Sequence, residues 1–170
     1  MLRLILLRHA DAAAFAGGGD AERPLTQRGR QEAQRVGDYL AGAGLFPDLA
    51  VVSSAKRARE TLDLALETFG EPCPVYAEPR LYLAEAPTLL DLMQATPPFV
   101  QFLLAVGHNP GFHDYATLMV GHGDPFARSR LEQGFPTAGL AVIDFDAPSW
   151  AQAQIGTGVL DRFVTPADLD

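Results

Sequence analysis

The sequence has one cysteine, no long apolar run and few positive charges, and each shortage excludes something. Cys73 is alone in 170 residues, so a disulfide framework within the chain is excluded and a reducing cytoplasm is expected. Prolines flank it on both sides, and no phosphate-binding loop with a following arginine accompanies it, which disfavours a cysteine phosphatase. No apolar segment approaches the ~20 residues of a membrane span. The N-terminal run Leu4 to Leu7 is too short for the core of a secretory signal, and Arg8 interrupts it. Lys and Arg total 13 against 21 Asp and Glu, a formal net charge of -8. That balance argues against nucleic acid or an anionic membrane as the main partner. A small anionic ligand stays open, because arginines focused in one cleft can outweigh a diffuse negative surface. The chain also lacks repeats, low-complexity segments and the Gly-x-Ser-x-Gly spacing of a serine hydrolase. Gly17-Gly18-Gly19 has no Gly-Lys-Ser/Thr after it, so it reads as a flap or a plain linker rather than a nucleotide cradle.

What the chain does have is 48% hydrophobic residues over a length suited to one buried core, hence one domain over residues 1–170. Leu4-Ile5-Leu6-Leu7 has the four adjacent aliphatics of a strand buried on both faces, and it stops at Arg8 and His9. Leu49-Ala50-Val51-Val52 runs into Ser53-Ser54 and then Arg57. Phe102 to Val106 runs into Gly107-His108-Asn109-Pro110-Gly111. If these strands are parallel neighbours, two histidines and two arginines meet at the carboxyl edge of one sheet, where α/β proteins gather ligands.

Helical patterns separate the strands. Thr26 is the expected cap of a helix with Ala33, Val36 and Leu40 on one face and a stop at Gly42 and Gly44. Ser54 is expected to cap a second, with Ala58, Leu62, Ala65, Leu66 and Phe69 inward and Arg57 in its first turn. Val75-Tyr76-Ala77 reads as an edge strand, and Leu89 to Met93 as a helix with Pro87 in its first turn. A further helix starts at a cap on Asn109 and ends at Gly121. Gly121 to Pro136 reads as loop, and two strands are expected at Gly139 to Phe145 and Ala151 to Ile155. This alternation implies an α/β sandwich, a mostly parallel sheet with helices on both faces.

Arginines pair bidentately with phosphate, so Arg8 and Arg57 suit a phosphoryl group, and the serines add donors. Both arginines depress the pKa of His9 and keep it unprotonated and nucleophilic near neutral pH. His108 can donate a proton or hydrogen bond to phosphoryl oxygens as charge shifts towards them. Two histidines among arginines describe phosphoryl transfer through a phosphohistidine.

At these residues the chain resembles the histidine phosphatase superfamily. Leu7-Arg8-His9-Ala10-Asp11-Ala12 is similar to its Arg-His-Gly motif, and Arg23-Pro24-Leu25-Thr26 with Gly29 to its next block. Ser53 to Thr61 resembles its Ser-Ser-Pro-x-x-Arg-Ala-x-x-Thr segment, and Gly107 to Gly111 its second-histidine motif. The short chain, Asp11 and the lack of a large inserted cap resemble the SixA-type phosphohistidine phosphatases. The resemblance implies a phosphoglycerate-mutase-like three-layer sandwich with His9 as nucleophile. It also implies a phosphate pocket of Arg8, Arg57 and His108, with Arg23, Ser53 and Asn109 as further substrate-binding candidates, and neither metal nor cofactor. The partner is then a phosphorylated substrate, with a phosphohistidine-bearing protein as the leading candidate.

Two departures stand out: Ala10 occupies the usual glycine position and Ala55 a proline position. Larger family members also carry a carboxylic acid between the two histidine motifs. Glu85 is the candidate here, with a solvated helix-start glutamate as its alternative, and Asp11 and the Asp20–Arg23 pair are others. His113 and His122 are expected to be structural or surface residues. A metal site of His9, Asp11, His108 and Asp114 is disfavoured because the arginines repel a cation. A small-molecule phosphomonoesterase, a mutase and a binding module without turnover are the rival functions.

Overall fold

A computed structural model describes residues 1–170. Seven strands form one sheet in the order β3-β2-β4-β1-β6-β7-β5. Their ranges are β1 Leu2–Arg8, β2 Leu49–Val52, β3 Val75–Ala77, β4 Phe102–Gly107, β5 Val120–Gly123, β6 Leu140–Phe145 and β7 Gly158–Val164. β1 pairs in parallel with β4, β4 with β2, and β2 with β3. On its other side β1 pairs antiparallel with β6, which pairs antiparallel with β7. β5 closes the sheet in parallel with β7.

Successive side chains of a strand face opposite ways, so a strand buried on both faces must feed two cores. Along β1, Leu2, Leu4 and Leu6 enter one core while Ile5 and Leu7 enter the other. The first core is covered by α3 (Ala86–Gln94), α4 (Gly111–Met119) and α5 (Pro125–Gln133) through Leu89, Met93, Phe112, Tyr115, Met119 and Leu131. The second is covered by α1 (Gln27–Gly42) and α2 (Lys56–Phe69) through Ala33, Val36, Leu40, Ala58, Leu62 and Phe69. α1 and α2 pack closely because Gly37 has no side chain: a Cβ there would stand 2.1 Å from the Ala65 carbonyl oxygen. No helix is long and apolar enough to cross a membrane.

Several local expectations hold. Thr26 caps α1, accepting a 3.0 Å hydrogen bond from the Gly29 amide. The edge strand at Val75–Ala77 and the first-turn Pro87 of α3 are both present.

Others need correction. Ala55, not Ser54, occupies the cap position of α2, and the preceding Ser53 hydroxyl accepts the Ala55 amide instead. Pro110 takes the cap position of α4, because the Asn109 amide group is drawn 26 residues away to the Phe135 carbonyl. The stretch after Met119 is not loop: β5 follows α4 directly, and α5 begins at Pro125 with Asp124 accepting the Ala127 amide. Only Leu131 of α5 is buried, so its amphipathic signal is faint. The strand expected at Ala151 to Ile155 is instead a 3-10 turn, Trp150–Gln152, whose buried indole donates to the Val100 carbonyl. The last strand, β7, comes later and places Leu160 and Phe163 inward around the polar pair Asp161-Arg162.

Candidate active site

The carboxyl ends of β1, β2 and β4 lie side by side because those strands are parallel neighbours. Backbone hydrogen bonds continue the pairing past the strand ends: the His9 amide donates to Gly107 and the Ser53 amide to Val106, each at 3.0 Å. The Ala138 amide closes the third side on the carbonyls of Arg8 and His9. Four side chains predicted from sequence therefore share one cleft of about 280 Å³: Arg8, His9, Arg57 and His108. Arg23 and Asn109 line it as well.

The two imidazoles stand 5.2 Å apart between centroids, and both are buried. His9 Nδ1 lies 2.8 Å from the Ala10 carbonyl oxygen, which can only accept, so Nδ1 carries the proton and Nε2 keeps its lone pair when neutral. Burial lowers the His9 pKa to about 4, and Arg57, Arg8 and Arg23 push in the same direction. His108 is lowered to about 3 by burial, then by His9 and Arg57. Its Nε2 is 2.7 Å from the Ser53 hydroxyl, while Nδ1 is buried without a partner.

The guanidinium groups are anchored at some nitrogens and free at others. Arg8 Nη1 donates to the Phe135 carbonyl at 2.9 Å, and Nε has no partner. Arg57, 2% exposed, donates through Nη1 to the Asp20 carbonyl and through Nη2 to the Asp20 carboxylate, again leaving Nε unpartnered. Arg23 Nε donates to the other Asp20 oxygen at 3.0 Å. The Tyr82 hydroxyl donates to Asp20 Oδ2, and its ring lies edge-on to His108 at 5.6 Å. These donors, Tyr82 foremost, hold the Asp20 carboxyl down at about 2, so it is ionised at neutral pH.

Thr61 ties the histidine strand to the arginine helix. Its hydroxyl accepts the Ala10 amide at 3.0 Å and donates to the Arg57 carbonyl at 2.7 Å. Nearby, a Cβ on Gly29 would stand 2.0 Å from the Asp11 carbonyl oxygen, so glycine alone lets α1 meet the loop after β1. Asp11 faces the cleft and accepts from the Thr26 hydroxyl at 2.7 Å. Ala10 is fully buried with a φ that is not positive, so the departure from glycine there brings no backbone strain.

Glu85 is not brought into this cleft. It precedes α3 and lines a separate depression with Ala86, Pro110 and Asp114. Ser53 acts on the cleft only through His108. His113 donates from Nε2 to the Leu131 carbonyl, a structural contact, and His122 is exposed on β5. No group of three or more His, Cys, Asp or Glu side chains is arranged to hold a metal ion. Tyr82 escaped the sequence reading, since no local pattern marks it; Asp20 stood out there only as a candidate acid. The Gly17-Gly18-Gly19 stretch leads into a 3-10 turn, Asp20–Glu22, that delivers Asp20 to Arg57.

A family model described as the histidine phosphatase superfamily (branch 1) matches residues 4–82. An uncharacterized protein of Mycobacterium tuberculosis is 33% identical over 162 residues, covering 94% of this chain and 99% of the relative. Two solved structures assigned as phosphohistidine phosphatase SixA are similar throughout. That from Agrobacterium tumefaciens is 34% identical, with 97% of this chain and 98% of that chain covered and a TM-score of 0.81. That from Nakamurella multipartitia is 28% identical, with coverages of 97% and 96% and a TM-score of 0.84. The α/β sandwich implied by the sequence motifs is the fold that both share with this chain.

Proposed function

Since the chain belongs to the histidine phosphatase superfamily, we propose that it is a metal-independent phosphatase acting on protein phosphohistidine through a covalent adduct on His9. One observation carries this reading. All four buried side-chain polar atoms that lack a partner, Arg8 Nε, Arg57 Nε, His108 Nδ1 and Asn109 Oδ1, belong to residues of a single cleft. Buried polar groups are normally paired, and an orphan donor costs on the order of 1–3 kcal/mol. A phosphoryl group supplies three acceptor oxygens to the two guanidinium donors and to His108 in its Nδ1–H tautomer.

His9 Nε2 then attacks phosphorus with its lone pair, forming an Nε2–P bond as the bond to the leaving nitrogen breaks. The departing imidazole takes its proton from water. A second water attacks the adduct, the Nε2–P bond breaks, and inorganic phosphate leaves with His9 neutral again. Arg8 and Arg57 hold the charge that shifts onto the equatorial oxygens.

The substrate class follows from an acid that is missing from the cleft. Glu85 lies in the neighbouring depression, Asp20 is held ionised, and Asp11, though it lines the cleft, is turned to accept from the Thr26 hydroxyl. Expelling an alkoxide from an ester profits from a positioned acid, whereas an imidazole departs readily without one. Rapid-quench labelling with a phosphohistidine peptide, in a chelating buffer, tests the proposal. The expected result is an acid-labile, base-stable adduct on His9 and efficient turnover, with sugar phosphates reacting poorly. Parental activity in His9→Ala, or a chelated enzyme revived only by one divalent ion, overturns it.

A further inference from the structure

The cleft contains three guanidinium groups, yet most of their outer nitrogens are already committed. Both terminal nitrogens of Arg57 are taken by Asp20, through its carbonyl at 2.8 Å and its carboxylate at 3.1 Å. Arg23 spends Nε on Asp20 and Nη1 on the Ala13 carbonyl. Tyr82 adds its hydroxyl to the same carboxylate. The buried donors left without partners are Arg8 Nε, Arg57 Nε and His108 Nδ1, enough for one phosphoryl group. A second anion on the same ligand finds both terminal nitrogens of Arg57 and the Nε of Arg23 occupied, and a carboxylate already at the rim. Like charges at such a distance repel, and more strongly in a half-enclosed cleft than in water.

We propose that Asp20 is a specificity-determining residue that confines the cleft to ligands with a single anionic group, by occupying both terminal nitrogens of Arg57 and the Nε of Arg23. This deepens the phosphohistidine reading and rests on it for its consequence. A phosphoryl group on a histidine side chain has no second anion beside the P–N bond, whereas phosphorylated sugar acids and bisphosphates do. Asp20 thus turns an arginine-rich cleft, otherwise suited to small polyanions, away from them.

The test compares equilibrium binding of two phosphonates that cannot be hydrolysed, propylphosphonate and 3-phosphonopropionate. The second ends in a carboxylate where the first ends in a methyl group. Calorimetry on the full chain gives the ratio of their affinities. In Asp20→Asn the ratio should shift by about tenfold towards 3-phosphonopropionate, the worth of one newly available charge-assisted hydrogen bond. Adding Arg23→Gln should return the ratio towards the parent's. An unchanged ratio in Asp20→Asn overturns the proposal, as does a raised ratio indifferent to Arg23→Gln. Loss of both ligands in Asp20→Asn and in Asp20→Ser also overturns it, by assigning Asp20 to holding the cleft together. Because binding is read without turnover, a protein with the expected ratio but no adduct on His9 refutes the phosphatase reading alone.

Discussion

Replacing Thr61 by valine tests whether the cleft depends on the link between β1 and α2. Thr61 is fully buried, and its hydroxyl is the partner of the Ala10 amide and also reaches the Arg57 carbonyl. Valine keeps the shape but can neither accept nor donate, so the buried Ala10 amide is left unpaired. That costs about 1–3 kcal/mol. At about 2–4 °C per kcal/mol for a chain of this size, the melting temperature should fall by roughly 5 °C. A kinetic loss should accompany the thermal one, because the Ala10 carbonyl is also what fixes the His9 ring through Nδ1. A nucleophile loosened by a fraction of an ångström should lose about tenfold in kcat. Thr61→Ser is the control: it retains both hydrogen bonds and loses one methyl group, about 1 kcal/mol, with kcat near the parent's. Calorimetric melting and steady-state kinetics on the three proteins decide the matter. Equal behaviour of serine and valine at this position, or a valine variant indistinguishable from the parent, refutes the argument.

Acid should destabilise the protein through its two buried imidazoles. Their folded pKa values of about 4 and 3 lie below the ordinary 6.5, so between those values the unfolded chain binds protons that the folded one does not. Stability is therefore whole above pH 6.5 and declines towards pH 3, by about 2 kcal/mol per histidine between pH 6.5 and 5. Urea titrations at those two pH values measure the loss, and a slope that survives replacement of both histidines by asparagine contradicts the account. Arg57→Ala should lower kcat/KM by about a hundredfold or more, while the exposed Arg59, bonded only to the Ser54 carbonyl, should tolerate alanine. Similar mild losses at both positions argue that Arg57 does not touch the substrate. Glu85→Gln should alter phosphohistidine turnover by less than about twofold; a collapse of activity in this variant restores Glu85 as the general acid.

Much of this protein is encoded in short stretches of sequence. Aliphatic residues in unbroken runs can be hidden only in strands covered on both faces, so β1, β2 and β4 are visible in the chain, and so are the polar residues at their ends. Because Arg8, His9, Arg57 and His108 follow those strands within a few residues, parallel pairing alone is enough to gather them. Thr26 at the start of α1 is legible for the same reason, a cap and its acceptor being three residues apart. Contacts between distant partners are fixed only once the chain is packed. Asp20 and Tyr82 meet across 62 residues of sequence, and Asp20 reaches Arg57 across 37, so neither contact has a local pattern. Glu85 lies close in sequence to Tyr82 but falls on the far side of Leu83, whose positive φ of 49° turns the chain between them. The second half misled where its signals were weakest: α5 buries one residue, and Trp150 takes its position from a carbonyl 50 residues away. Periodicity reports which side of an element is dry, whereas the choice of partner for a single polar side chain is made by the packed chain as a whole.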